Sequence, residues 1–371
     1  MTLLCCIAAS NFVDSNPNMK NIAAQAKKFK QVEIQLDQRN TPVQFDEEAT
    51  LAARAAWLHF SGGKTQGEVA EILGVPNTKA HRLIARARSE GLIRVFVEGP
   101  IAGCIELEEK LKDAYGLNLC EVVPNIDDGP LPLRTLGTAG ARYIRILIEN
   151  ATYALIGIGH GRTLAAAIDL LPSVPANTVK FVSLLGGLTR RFAASPFDVI
   201  HRLAERTGAE AYVMPVPFFA NTAKDKKVLE SQYGVLDVIE MTRQAELYVA
   251  GIGEVDRKSF IATAGMVDDE DVDAVIESGA CAEILGHFFT TDGTHVPNSV
   301  SGRAMAPRIE DLKSHKIVAL AGGTSKTLAV RAILNSGLLH GLITDEATAR
   351  RLINEKPGRE PGKKSGKSAT S

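Results

Sequence analysis

The stretch Ala154-Leu155-Ile156-Gly157-Ile158-Gly159-His160-Gly161-Arg162-Thr163-Leu164 decides how the rest of the chain reads. A short apolar run ends in three glycines at alternate positions, and an apolar-periodic segment then opens with Arg162 and Thr163. That order predicts a strand, a tight turn and a helix N-terminus. Such a turn suits an anion: glycine lets backbone N–H groups approach a ligand, the first helical turn has unpaired donors, and its dipole favours negative charge. Arg162 adds a forked contact for a phosphate or carboxylate, and Thr163 adds a hydroxyl. Taken alone, the pattern fits equally a turn that needs glycine only for packing.

Downstream, apolar runs of strand length alternate with helical segments, which builds a parallel sheet covered on both faces. The runs are Val179 to Leu185, Ala211 to Met214, Leu247 to Ala250, Ala282 to Gly286 and Ile317 to Ala321, with Cys120 to Val123 upstream. Ser195-Pro196 reads as the cap of a helix that stops near Gly208. Glycine clusters end four strands: Gly157 with Gly159 and Gly161, Gly186 with Gly187, Gly251 with Gly253, and Gly322 with Gly323. In an open parallel sheet the ligand crevice lies beyond the carboxyl ends of the strands, so these turns are expected to converge on one pocket. Lys326, opening the last helix, supplies a point charge for a phosphate. Asp292 and His295 offer acceptors for hydroxyls, although Asp292-Gly293 equally reads as an ordinary turn. His160, Arg190, Asn221, Glu254 and Asp256 are weaker candidates.

Upstream, residues 46–98 read as three helices and a short extended piece. Leu51, Arg54, Ala55 and Leu58 give the first helix one face, and Ser61-Gly62-Gly63 ends it. Thr65 caps the second, with Glu68 as its capping-box partner and Val69, Ala70, Ile72 and Leu73 facing inward. After Gly74 the third helix starts near Asn77, with Ala80, Leu83, Ile84 and Ala87 on one face and Lys79, Arg82 and Arg86 on another. The segment holds seven residues of each sign, yet from Asn77 to Arg94 Lys79, Arg82, Arg86, Arg88 and Arg94 stand against Glu90 alone. Two short helices around a glycine turn, the second with a basic face, describe a helix-turn-helix. Thr65 and Gln66 sit at the first of these two helices, while Asn77, Thr78, Lys79, His81 and Arg82 are expected at base edges and Arg86 and Arg88 on phosphates. Gly91 to Val97 reads as a minimal wing.

The chain has 371 residues, 45% of them hydrophobic, enough for two domains. A formal net charge of -1 excludes a globally basic protein, so any nucleic-acid contact comes from a local patch. Five scattered cysteines have no metal-ligand spacing and point to a reducing, cytoplasmic setting. The apolar start from Leu3 to Ala9 is too short to span a bilayer and lacks a positive flank. Residues 1–45 are expected to be a disordered extension, with Met1 and Met19 both open as starts. Residues 46–98 are the DNA-binding domain, 103–354 the effector domain, and 355–371 a solvated basic tail.

With both halves in place, the chain resembles transcriptional regulators of the SorC type, within the DeoR/SorC sugar-responsive regulators, over residues 49–353. Thr65-Gln66-Gly67-Glu68-Val69-Ala70 with Leu73-Gly74-Val75, Arg82-Leu83, Ala87 to Ile93, Gly157 to Thr163, Gly251-Ile252-Gly253, and Gly322-Gly323 with Lys326 carry the resemblance. It implies a winged helix-turn-helix joined to an α/β parallel-sheet domain similar to sugar-phosphate isomerases and deaminases, without catalysis, cofactor or metal. It also implies a phosphorylated sugar or polyol as effector, operator DNA as partner, and a homotetramer built as a dimer of dimers. The phosphate turn carries over to Gly159, Gly161, Arg162 and Thr163, and the phosphate lysine to Lys326. One departure stands out: Pro76 occupies the place of the usual serine cap of the recognition helix, so the helix start is open between Asn77 and Lys79.

Two rivals stay in view. A sugar-phosphate isomerase or deaminase would use Asp256 or Glu254 as proton shuttle, with the helix-turn-helix serving assembly. A pure ligand-binding scaffold would bind phosphate and ignore DNA.

Overall fold

A computed structural model describes residues 47–90, 92–93, 102–125, 131–176, 178–187, 199–263 and 265–354. The chain divides into two compact units, Met1–Val95 and Phe96–Ser371. The expected wing lies almost wholly outside the described residues, as do Arg190 and Ser195-Pro196.

In the first unit, α1 (Glu47–Ala56) runs on into a π-helical turn (Trp57–Ser61), followed by α2 (Gln66–Leu73) and α3 (Asn77–Ser89). The core is built from small residues, Ala52, Ala55, Ala70, Ala80 and Ala87, closed by Val69, Leu83 and Ile84. Alanines let three short helices approach closely. The α1 face is shifted from the expected one: Arg54 is exposed, and Leu51 and Leu58 only flank the alanine seam. Ile72 also points outward, because Val69, Ala70 and Leu73 already cover the inner side of an eight-residue helix.

In the second unit the elements run α4 (Ala102–Tyr115), β1 (Leu119–Val123), α5 (Leu133–Glu149), β2 (Leu155–Ile158), α6 (Arg162–Leu170), β3 (Lys180–Gly187), α7 (Ile200–Thr207) and β4 (Ala211–Pro217). Then come α8 (Ala223–Glu230), α9 (Val235–Gln244), β5 (Leu247–Ala250), β6 (Gly253–Glu254), α10 (Phe260–Thr263), α11 (Asp269–Glu277), β7 (Ala282–Ile284) and β8 (His287–Phe289). The unit ends with α12 (Ile309–Ser314), β9 (Ile317–Leu320), α13 (Thr327–Asn335), β10 (Gly341–Asp345) and α14 (Glu346–Asn354).

Seven strands form a parallel sheet in the order β1-β10-β9-β5-β2-β3-β4. Ile156 and Ile158 pack with α5, α6 and α7 on one face, while Val182, Leu184 and Tyr248 join the larger core on the other. The chain leaves β2 toward β3 and β4, returns to β5 on the opposite side of β2, and continues to β9 and β10. The order therefore reverses between β2 and β5, the place where open α/β sheets leave a crevice.

One expected strand is corrected. Ala282–Ile284 pairs antiparallel with β6 and β8 in a separate three-stranded sheet, not in the parallel one. Its turn, Leu285-Gly286, puts a leucine at φ 50, a left-handed conformation that bulky side chains seldom adopt.

Candidate functional site

A cleft opens at the point of strand reversal. The turn after β2 gives it His160, Gly161, Arg162 and Thr163; the turn after β5 gives Gly251, Ile252, Gly253 and Glu254; Lys326 enters beyond β9. Gly161 stands just before α6 at φ +127, a backbone conformation favouring glycine, and a side chain there would meet only open space. No side chain caps α6, so its first N–H groups are left to a ligand.

Lys326 is buried and donates from Nζ to the Ile252 carbonyl at 2.6 Å. Burial lowers its pKa from a lysine's usual 10.5, Glu254 and Glu283 pull it back up, and Arg162 pushes it further down. Two cations and two carboxylates thus share one cleft. The Glu283 carboxyl has its pKa raised by burial and accepts from the Gly286 N–H at 2.7 Å. His160 Nε2 stands 3.4 Å from both the Ser183 hydroxyl and the Leu185 carbonyl. Because the Ser183 hydroxyl itself donates to that carbonyl at 2.8 Å, its oxygen is free to accept from the imidazole. Leu185, Phe218, Ile261 and Leu285 supply apolar wall. The arrangement fits a small molecule with an anionic group for Arg162 and Lys326 and hydroxyls for the carboxylates.

Other expected residues lie apart from this wall. Gly157 faces Leu184 and Tyr248, and Gly186 presses on the Pro217 carbonyl, so both are glycine for packing. Gly159 backs against Leu285 and Ala250 one step behind the cleft, and Gly187 bonds the Phe218 N–H. Gly322 faces Asp345, and the Gly323 N–H is spent on Asp345 and Thr348 at 2.6 and 2.9 Å. Asp292 holds its own loop through Thr290 and Thr294, as an exposed turn residue does. His295 pairs with His287 at 3.2 Å, Asp256 accepts from the Lys258 N–H at 2.7 Å, and the Asn221 carbonyl accepts from Arg303. Glu283 was missed by sequence reasoning. Its signal was a single carboxylate inside an apolar strand.

In the first unit, the Thr65 hydroxyl accepts from the Glu68 N–H while Glu68 accepts from the Thr65 N–H, the reciprocal capping box. Gly74 closes α2 at φ 63. Pro76 is the extended N-cap of α3 without a side-chain cap, which fixes the helix start at Asn77. Gln66, Asn77, Thr78, His81 and Arg82 are exposed and Lys79 is half-buried. Arg86 is held between Glu48 at 3.3 Å and Glu90 at 2.6 Å, and Arg82 lies 3.7 Å from Glu48. Among the described residues, no cluster of three or more His, Cys, Asp or Glu could hold a metal, and no helix is long and apolar enough to cross a membrane.

The sequence and fold match known proteins. The family described as "Putative sugar-binding domain" matches residues 99–354. The chain is 52% identical over 314 residues to the erythritol catabolism regulatory protein EryD of Brucella abortus (strain 2308), covering 85% of this chain and 99% of that protein. It is 30% identical to the transcriptional regulator LsrR of Enterobacter sp. (strain 638), covering 82% and 93%. Among solved structures, the full-length sorbitol operon regulator SorC from Klebsiella pneumoniae superposes with a TM-score of 0.61 at 21% identity, over 83% of this chain and 100% of that one. A DeoR family transcriptional regulator from Listeria monocytogenes gives 0.62 at 22% identity, over 67% and 99%. At those identities the two structures speak for the fold alone.

The chain belongs to the SorC-type sugar-binding transcriptional regulators. It is a regulator, and the isomerase or deaminase alternative falls away.

Proposed function

We propose that the protein controls a polyol or sugar catabolic operon, binding operator DNA through α3 and a phosphorylated short polyol or sugar in the cleft. The observation that carries this reading is the meeting of Arg162, Lys326 and the uncapped start of α6 in one place. Phosphate is the small group that uses a forked guanidinium, a point charge and a helix N-terminus together. Glu254, Glu283 and His160 then face the hydroxyls. The likeness to an erythritol catabolism regulator favours a four-carbon polyol phosphate as the first ligand to try. Bound phosphate draws the turns after β2 and β9 together. In a homotetramer, that changes the spacing of paired α3 helices, which must match half-sites about 34 Å or a multiple apart. A coupling of about 1–3 kcal/mol is enough for a 5- to 150-fold change in operator affinity.

We read the cleft as a binding site: of the two acids that could serve an isomerase as proton shuttle, Asp256 accepts from the Lys258 N–H of its own turn, and only Glu254 lines the cleft. The test is titration calorimetry with erythritol phosphate, erythritol and inorganic phosphate. Binding of the ester with weaker competition by inorganic phosphate supports the reading. Tight binding of free erythritol that inorganic phosphate leaves untouched would sink it.

A further inference from the structure

The turn that carries Lys326 into the cleft is gripped from behind by a buried carboxylate. Asp345 ends β10 and is 1% exposed, and neutral donors take up both of its oxygens. Oδ1 accepts from the Thr348 N–H at 3.0 Å, while Oδ2 accepts from the Thr348 hydroxyl and from the Gly323 N–H, each at 2.6 Å. A carboxylate is costly to bury unless its oxygens are bonded in this way. The bond from the Thr348 N–H is the usual cap of a helix start, and one oxygen of a serine or asparagine would serve α14 as well. The second oxygen leaves the helix and reaches the loop that follows β9.

Gly323 links that oxygen to Lys326. Its N–H is shared between Asp345 and the Thr348 hydroxyl oxygen, the latter at 2.9 Å, and its carbonyl accepts from the Lys326 N–H at 2.9 Å. Gly323 stands at φ 99, where a side chain would strain the backbone. One residue further on, the Thr324 carbonyl accepts from Arg351 of α14 at 3.4 Å. The start of the short turn Thr324–Lys326 is therefore tied to α14 on both sides, and the Lys326 ammonium projects into the cleft from that tied backbone.

We infer that Asp345 is a positioning residue for the anion site: with Thr348 it fixes the Gly323 turn and so sets where the Lys326 ammonium stands. The inference rests on the reading that Lys326 meets the phosphate of the effector. Asp345 touches no ligand itself and acts only through the peptide that Lys326 follows. An amide is no substitute for the carboxylate, because donors face both oxygens. After Asp345→Asn the side-chain NH2 must point at the Gly323 N–H or at the Thr348 N–H, donor against donor, so that either the turn or the cap is lost.

The experiment is titration calorimetry of the full-length chain with erythritol phosphate and inorganic phosphate, with far-UV circular dichroism as the folding control. Asp345→Asn is expected to weaken both ligands about tenfold, and Thr348→Val, which loses only the shared hydroxyl, about threefold. Thr348→Ser, which keeps that hydroxyl, is expected to bind like wild type. Each variant is also measured with Lys326→Met. In that background its further effect is expected to stay within about twofold, because the loss passes through the ammonium, whereas general loosening of the fold would cost the same factor with or without it. Equal losses in both backgrounds, or wild-type affinity in Asp345→Asn and Thr348→Val, would overturn the positioning role and leave the anion site standing. Should Asp345→Asn fail the folding control, Thr348→Val decides on the same terms. A wild-type protein that binds neither phosphate compound removes the anion site and the positioning role together.

Discussion

Lys326 Nζ donates to the Ile252 carbonyl at 2.6 Å, which fastens the helix following β9 to the turn following β5. An ammonium has three donors and this bond uses one, so the others remain for a ligand. The charge is held in place by a backbone oxygen that cannot titrate.

Removing that charge tests the anion site. Lys326→Met, which keeps most of the stem, is expected to weaken a phosphorylated effector roughly ten- to a hundredfold, since hydrogen bonds to charged groups are worth about 1.5–3 kcal/mol. Arg162→Ala is expected to cost less, because Arg162 is exposed and solvent screens it. Calorimetry checks both, and equal affinity for wild type and Lys326→Met would remove Lys326 from the site.

Effector affinity is expected to decline on the alkaline side earlier than an ordinary lysine would allow. Burial lowers the Lys326 pKa below 10.5, so the binding-competent ammonium is fully present well below that value and disappears as pH rises through the lowered one. Glu254 opposes the shift, and Glu254→Gln should move the alkaline limb further toward neutrality. Affinity measured from pH 7 to 10 in both proteins decides this, a limb that stays put in Glu254→Gln counting against it.

The two arginines of α3 are expected to separate. Arg82 has 72% of its side chain in water and is available to DNA, whereas Arg86 is clamped by Glu48 and Glu90. Arg82→Ala should weaken operator binding and flatten its dependence on log salt by about one unit. Arg86→Ala should change that slope less and lower the melting temperature of the DNA-binding unit more. Mobility shifts at several salt concentrations separate the outcomes.

Acid should loosen the hairpin behind the cleft. Burial lowers the pKa of His287, aided by the nearby His295 and Lys226, while its bond to the Pro307 carbonyl and Glu310 act the other way. The folded state thus prefers the neutral ring: stability is full above about pH 6.5 and falls as pH drops from there toward the lowered folded value. His287→Gln should flatten melting temperature against pH between 7 and 5. Parallel curves for the two proteins would place the acid sensitivity elsewhere.

Sequence alone determined what depends on neighbours along the chain. The Thr65–Glu68 box, the helix stop at Gly74, the strand and helix flanking Gly161, and the alternation that builds a parallel sheet follow from local hydrogen bonding, backbone sterics and apolar periodicity. Tertiary structure decided which turns share a cleft. Gly157, Gly186 and Gly322 look in sequence like Gly161, yet Leu184, Pro217 and Asp345 approach them so closely that packing claims all three, and none of those neighbours is adjacent in the chain. The same holds for Glu283, an unremarked acid in a short strand until folding sets its carboxyl beside Lys326. Strand order fixed the rest, because the reversal between β2 and β5 opens the gap where these turns meet.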